Sequence, residues 1–313
     1  MAEFTIRQLQ YFVAVLDHGS VTAAAKESNI SQAAASMAIA QLEHAVGVDL
    51  LIRTRAKKVV ATPAGVELAA RARHILSMIG DIEGAVAGGF DDMRGPLRAG
   101  CSPTLSPRLL PGLVDYFSRE YPAVDVSFHE DSAAELQQEV LEGRIDLALI
   151  YSLQAVDGVE LAEIARVKPH LMLSATHPLA GQESITFAQV QDEWAILHDV
   201  PPTIERVTGM MRAVGVEPKL RWPSTDMETI RSLVARGLGY SMVNTRPVND
   251  TTGDGLKVAY VPLADELPPN AVVAALPPGT RVPRRVKESI RFLRETASSA
   301  PSAGEPGEGA VPR

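Results

Sequence analysis

Gly19-Ser20-Val21-Thr22-Ala23-Ala24-Ala25-Lys26-Glu27-Ser28-Asn29-Ile30-Ser31-Gln32-Ala33-Ala34-Ala35-Ser36 is the stretch on which the reading of this chain turns. Gly19 stops whatever helix precedes it, and Val21 to Ser28 predicts a short second helix whose alanines let another helix approach closely. Asn29 marks a turn. Ser31 is a good N-cap for a third helix that runs through Ile39, Leu42 and Val46 to Gly47, the residue preferred just past a helix end. Upstream, Ile6, Leu9, Phe12, Val13 and Leu16 share one helical face, behind Thr5 and Gln8 spaced as a capping box. Two helices joined by so tight a turn form a helix-turn-helix, whose second helix enters a major groove by its N-terminal end.

That end carries Ser31, Gln32, Ala33, Ala34 and Ser36, small and uncharged. Glutamine can bond adenine through two hydrogen bonds, serine suits several base edges, and alanine methyls can meet the thymine methyl. Downstream, Leu50 to Arg53 and Val59 to Ala61 predict two short strands around a basic tip, with Arg53, Arg55, Lys57 and Lys58 within six residues. Such a wing can straddle phosphates or place an arginine in the minor groove. Composition alone also allows a plain docking bundle with a solvated charged face.

The whole chain has 313 residues, 46% hydrophobic, 22% charged and 5% aromatic, with net charge −8. This is enough material for two or three cores. Residues 1–65 hold six Lys and Arg against five Asp and Glu, so the acid lies elsewhere, and local cations rather than the total govern phosphate binding. No apolar run reaches the ~20 residues of a membrane helix, and the start Met1-Ala2-Glu3 is not a secretory leader, so a cytoplasmic location is expected. The single cysteine, Cys101, excludes an intramolecular disulfide and a Cys-pair zinc site. It reads as a packing or pocket-lining thiol, with a thiol sensor as the minor alternative.

Thr62 and Pro63 open a long helix in which Val66, Ala69, Ala72, Leu76, Ile79, Ile82 or Glu83, and Val86 recur until Gly88-Gly89. It fits either a partner helix or its own core. Beyond Arg94-Gly95-Pro96, strands and helices alternate: strand Leu97–Cys101, helix Pro107–Glu120, strand Val124–His129, helix Ser132–Glu142 with Ser132 and Glu135 as a capping box, and buried strand Leu147–Tyr151. This order predicts a parallel sheet covered by helices. A second, similar set follows over His170–Val243, while strand Ala271–Leu276 and helix Pro283–Thr296 return to the first. Residues 297–313 read as a disordered tail.

Open α/β sheets take ligands beyond the carboxyl ends of their strands. The loops there supply Ser102, Thr104, Glu130, Asp131, Tyr151, His198, Thr203, Ser224 and Thr225 as candidate effector-binding residues. Helix starts after Thr104 and Pro202 suit an anion, so a carboxylate is a reasonable guess, although each hydroxyl serves equally well as a helix cap. Enzyme signatures fail: Gly100-Cys101-Ser102-Pro103-Thr104 lacks the closing glycine of a hydrolase elbow, Gly237-Leu238-Gly239 lacks the third glycine of a dinucleotide fingerprint, and the seven histidines are scattered. No enzyme, cofactor or metal site is expected.

In order and spacing the front end resembles the LysR-type transcriptional regulators, through Arg7-x-Leu9-x-x-Phe12-x-x-Val15, Gly19-Ser20-Val21-Thr22-x-Ala24-Ala25, Ser31-Gln32-x-Ala34-x-Ser36, Ile39-x-x-Leu42-Glu43, Gly47-x-x-Leu50, Arg53 and Thr62-x-Ala64-Gly65. Departures from the family pattern fall at Ser28, Ala33, Ala35, Met37 and Leu51. The resemblance implies an α/β protein overall: a winged helix-turn-helix over 1–62, a linker helix over 63–90 that pairs two subunits, and an effector domain over 91–298 like periplasmic binding proteins. That domain divides into subdomain I (about 91–165 and 265–298) and subdomain II (about 166–264), and 299–313 is tail. It implies DNA contacts from Thr22, Ser31, Gln32, Ala33, Ala34, Ser36, Arg53, Arg55, Lys57 and Lys58. The expected partners are double-stranded promoter DNA, a small-molecule effector, further copies of the chain in a homodimer or homotetramer, and RNA polymerase. A cytoplasmic solute-binding protein without DNA-directed function is the alternative.

Overall fold

The computed structural model describes residues 4–53, 59–88, 93–247, 249–279 and 282–299. In chain order the elements begin with α1 (Ile6–His18), α2 (Val21–Glu27), α3 (Gln32–Val46), β1 (Leu51–Arg53), β2 (Val59–Ala61) and α4 (Pro63–Gly88). The capping box at α1 is formed: Thr5 Oγ1 accepts from the Gln8 N–H at 3.3 Å and Gln8 Oε1 from the Thr5 N–H at 2.7 Å. Ser20 and Ser31 cap α2 and α3 by accepting from the Ala23 and Ala34 N–H groups, without a reciprocal bond, and Gly19 and Gly47 end α1 and α3 with positive φ. Leu9, Phe12, Val13 and Leu42 form one core, while Val15, Val21, Ala24, Ala25, Ala35 and Ile39 form another. Ala24, Ala25 and Ala35 are each at most 2% exposed, so the helices approach closely there, whereas Ala23 of α2 faces outward and is exposed. Ile6, expected in the buried stripe, is half exposed because it sits on the end turn and Phe4 packs beside the core there.

Thr62 ties the start of α4 down, donating to the Asp49 carbonyl at 2.8 Å and accepting from the Gly65 N–H at 3.0 Å. A Cβ on Gly65 would lie 2.1 Å from the Leu50 carbonyl oxygen, so only glycine allows this contact. Ala69 and Ala72 complete the α1–α3 core, and Leu76 packs beside it. The first half of the long helix therefore belongs to the helix-turn-helix, while Val66 stays exposed.

The remaining elements are β3 (Gly95–Cys101), α5 (Ser106–Glu120), β4 (Val124–Glu130), α6 (Ala133–Leu141), β5 (Leu147–Tyr151), β6 (Glu160–Arg166), β7 (His170–Ser174), β8 (Trp194–Ala195), α7 (Thr203–Ala213), β9 (Lys219–Leu220), α8 (Met227–Ala235), β10 (Ser241–Val243), β11 (Val258–Pro262), β12 (Ala271–Leu276) and α9 (Arg284–Ser299). A five-stranded sheet runs β4-β3-β5-β12-β6, with β3 parallel to both β4 and β5. The chain resolves into two compact units. The first takes the residues up to Ile150 with Ala155–Ala162 and Ala274–Leu293; the second takes Tyr151–Gln154, Glu163–Val273 and the residues from Arg294 on.

Four expectations are corrected. The second unit is not a copy of the first: β7 is flanked antiparallel by β10 and β11, and the short parallel pair β8-β9 stands beside them. Strand β6 was not foreseen because Glu160-Leu161-Ala162-Glu163-Ile164-Ala165-Arg166 has no clean alternation; as an edge strand it buries only Ile164. The capping box at α6 is half made, since Ser132 caps the Glu135 N–H at 3.2 Å but its own N–H goes to Asp131 Oδ1 at 2.6 Å. Helix α9 continues to Ser299, so the expected tail begins three residues too early, and its remainder lies outside the described residues.

Gly65→Ala should lower stability by about 2 kcal/mol through overpacking at the α4 start. Urea denaturation followed by helix signal checks it, and an unchanged midpoint would show that α4 yields freely.

Candidate functional site

The turn at the head of α3 sorts its side chains cleanly. Ala35, Ile39 and Leu42 point into the core, while Ser31, Gln32 and Ala33 are exposed and Ala34 and Ser36 half-buried. Ser31 Oγ is used as a cap for the Ala34 N–H at 3.1 Å. Among the described residues the Gln32 amide makes no hydrogen bond, nor does the exposed Thr22 hydroxyl on α2. Met37, 60% exposed one step further on, extends this outward face with an apolar group that the base-edge argument did not include.

The hairpin is fixed to this helix by Glu43, which sequence reasoning met only as a family motif position. Its Oε1 accepts from both the Leu50 N–H at 2.9 Å and the Leu51 N–H at 3.1 Å, joining the last turn of α3 to the start of β1. On the other strand, the Val59 N–H donates to the Gly19 carbonyl at 3.0 Å. Arg53 pairs with Val59 across the ladder. Arg55, Lys57 and Lys58 lie outside the described residues.

The candidate effector residues fall into separate groups within the two units. In the first, β3 and β4 end in register, Cys101 opposite Glu130. Ser106 at the first turn of α5 donates its hydroxyl to Glu130 Oε1, a partner not foreseen because the two are 24 positions apart. Ser102 is 4% exposed and its Oγ has no partner; Thr104 is exposed on the same turn; Asp131 is spent on the local N–H of Ser132. Neither α5 nor α7 has a side-chain cap. In the second unit, buried His198 bridges to Ser224 through the backbone and its Nε2 meets the Thr225 carbonyl at 3.0 Å. Ser224 Oγ accepts from the Asp226 N–H at 3.1 Å just ahead of α8, whose cap is Asp226 rather than Ser224. Tyr151 is buried, its hydroxyl 3.4 Å from that of Thr245, and Thr203 opens α7.

Cys101 is fully buried, and burial first, then the Glu130 carboxylate, pushes its thiol far above the usual cysteine range. A thiol held so is a poor nucleophile. Among the described residues no three metal-ligating side chains gather, and no helix is long and apolar enough to cross a membrane.

Comparison with known proteins agrees with this geometry. Residues 6–66 match the family model described as "Bacterial regulatory helix-turn-helix protein, lysR family", and 91–298 match "LysR substrate binding domain". A probable hydrogen peroxide-inducible genes activator of Streptomyces viridosporus is 30% identical over 304 residues, covering 95% of this chain and 96% of that protein. The regulator OxyR of Escherichia coli K12 is 28% identical, covering 92% of this chain and 94% of its own length. Among solved structures, HinK, a LysR family transcriptional regulator of Pseudomonas aeruginosa, aligns at a TM-score of 0.61 with 30% identity over 94% of this chain and 99% of that one.

Glu43→Ala leaves two backbone N–H groups without their carboxylate, at a cost of about 2 kcal/mol. The variant should melt earlier and bind every duplex more weakly. Equal weakening across unrelated sequences, read by fluorescence anisotropy, is the expected pattern; a change confined to one base position would contradict a purely positioning role.

Proposed function

Since the chain belongs to the LysR family and is a DNA-binding transcriptional regulator with an effector-binding domain, we propose that it reads double-stranded DNA with the head of α3 and clamps phosphates with its wing. The observation that carries this reading is the outward, unbonded Gln32 amide on a helix whose register is locked by Ala35 and Glu43. Gln32 discriminates bases, Thr22, Ser31, Ala33, Ala34 and Ser36 fit the groove and its methyls, and Arg53, Arg55, Lys57 and Lys58 supply sequence-independent attraction. The chain acts as a homodimer or homotetramer in the cytoplasm, so that two recognition helices meet related half-sites, and it addresses RNA polymerase at the promoter. It performs no catalysis of its own.

The effector is a small molecule, a carboxylate in our reading, bound in the C-terminal domain; the first unit offers it the loops with Ser102, Thr104, Glu130 and Asp131, and the second unit offers, separately, Tyr151, His198, Thr203, Ser224 and Thr225. The orphaned Ser102 hydroxyl favours a ligand there, because a buried hydroxyl without a partner is costly. Ligand shifts the assembly only through unequal affinity for its two states; a change from 1:99 to 99:1 takes about 5.5 kcal/mol. Several relatives are named as peroxide-inducible activators. With one buried cysteine this chain cannot form an intramolecular disulfide, so ligand binding rather than thiol oxidation is the signal we propose.

Gln32→Ala should relax base preference by about 1–3 kcal/mol, whereas Lys57→Ala should weaken all duplexes alike and reduce the salt slope by about one. Binding titrations at several salt concentrations separate the two, and identical behaviour would remove the division of labour. For the effector, a thermal-shift screen of small carboxylates should find stabilisers of the native chain, by mass action. Thr104→Val should blunt that shift without altering DNA affinity; lost DNA binding instead would sink the loop assignment.

A further inference from the structure

The first unit holds a cavity of about 330 Å3 away from every residue discussed so far as a ligand contact. Its wall carries five arginines, Arg73, Arg94, Arg98, Arg144 and Arg285, and one carboxylate, Asp17. They come from α1, α4, the start of β3, the turn after α6 and the start of α9, so no local pattern in the sequence announces them. Asp17 is already engaged: Arg73 donates to its Oδ1 at 2.5 Å and to the Glu142 carbonyl at 2.9 Å. Arg144 pairs with Glu142 and, at 3.4 Å, with Glu139. Arg285 is only 2% exposed and reaches the Pro96 carbonyl through its Nε at 2.5 Å. Arg98 is exposed, the Asp146 carboxylate accepts from its backbone N–H, and no carboxylate among the described residues pairs with its guanidinium.

Guanidinium groups stay charged at every working pH, and each presents five donors in a planar fork suited to oxyanions. Even with Arg73 and Arg144 engaged by carboxylates, five guanidinium groups line one concavity whose own wall supplies a single carboxylate, and a bound anion would relieve their mutual repulsion, the more so between low-dielectric walls. The volume lies at the lower end of the range for small-molecule sites. We propose that this cavity is a second ligand site, for a small multiply charged oxyanion of the phosphate or dicarboxylate class, distinct from the effector loops. Its walls belong to the helix-turn-helix, the long helix and the first sheet. Here a Cβ on Gly143 would come 3.0 Å from the Ala70 carbonyl oxygen of α4, so the two are already in close contact. An anion bridging Arg73 to Arg98 and Arg144 would fasten α4 to that sheet and make the DNA-binding helices respond to a second metabolite signal.

Isothermal titration of the full chain with pyrophosphate, and separately with succinate, at constant ionic strength set by sodium chloride tests this. The proposal expects saturable binding of at least one anion, weakened about tenfold or more by Arg98→Ala, that is by at least ~1.4 kcal/mol, and less by Arg98→Lys, which keeps charge but loses the fork. Arg236→Ala, which removes a surface arginine paired with Asp254 in the second unit, should change nothing. Tighter pyrophosphate binding assigns the phosphate class, and tighter succinate binding the dicarboxylates. Absence of saturable binding for both, or equal losses in Arg98→Ala and Arg236→Ala, overturns the site. Should Arg98→Ala melt early, Arg144→Gln gives the same reading from another wall. Neither readout uses DNA, so failure here leaves the DNA-reading proposal untouched.

Discussion

One carboxylate oxygen, Glu43 Oε1, accepting two consecutive backbone N–H groups, holds α3 and the β1-β2 ladder together. A three-residue ladder such as β1-β2 has little stability of its own, since an isolated hairpin is marginal in water. Its position relative to α3 therefore comes from outside the ladder: from Glu43, from Val59 bonded to Gly19, and from Thr62 bonded to Asp49. The outward side chains of α3 and the two strands keep their mutual register only while those ties persist. Glycine at 65 extends the same constraint into α4, because the Leu50 carbonyl that follows the Glu43 tie occupies the space of a side chain there.

Legibility in the sequence followed the range of the physics. Caps and turns act over three or four residues, and Thr5 with Gln8, Ser31, Thr62, Gly19 and Gly47 were all readable as written, whereas the Ser20 cap of α2 was not singled out. Buried strands such as β5 and β12 showed as continuous apolar runs. Edge strands did not: β6 has one neighbour, one buried residue and a charge at every third position. The three-stranded antiparallel sheet was hidden for a different reason, since strand direction is decided by connections that carry no periodicity.

The same division explains the site residues. The outward face of α3 was visible because burial there follows helical period. Ser106 on Glu130, Thr245 on Tyr151 and Arg73 on Asp17 join positions 24, 94 and 56 apart, so that even where Glu130 and Tyr151 stood out at strand ends nothing local marked their partners. Cys101, by contrast, could be weighed from composition alone as a packing residue, and its full burial beside Glu130 leaves it without the electropositive setting a reactive thiol needs.

Strand β12 lies between β5 and β6 in the five-stranded sheet, although more than a hundred residues separate it from either. During synthesis the first unit therefore leaves the ribosome unfinished, with the wholly apolar strand β5 lacking its neighbour. At about 5–20 residues per second that interval lasts roughly 5–25 s. An unpaired hydrophobic edge is an invitation to aggregate, so the nascent chain needs shelter until its last helix emerges, and a truncation before Ala271 would leave that edge open for good.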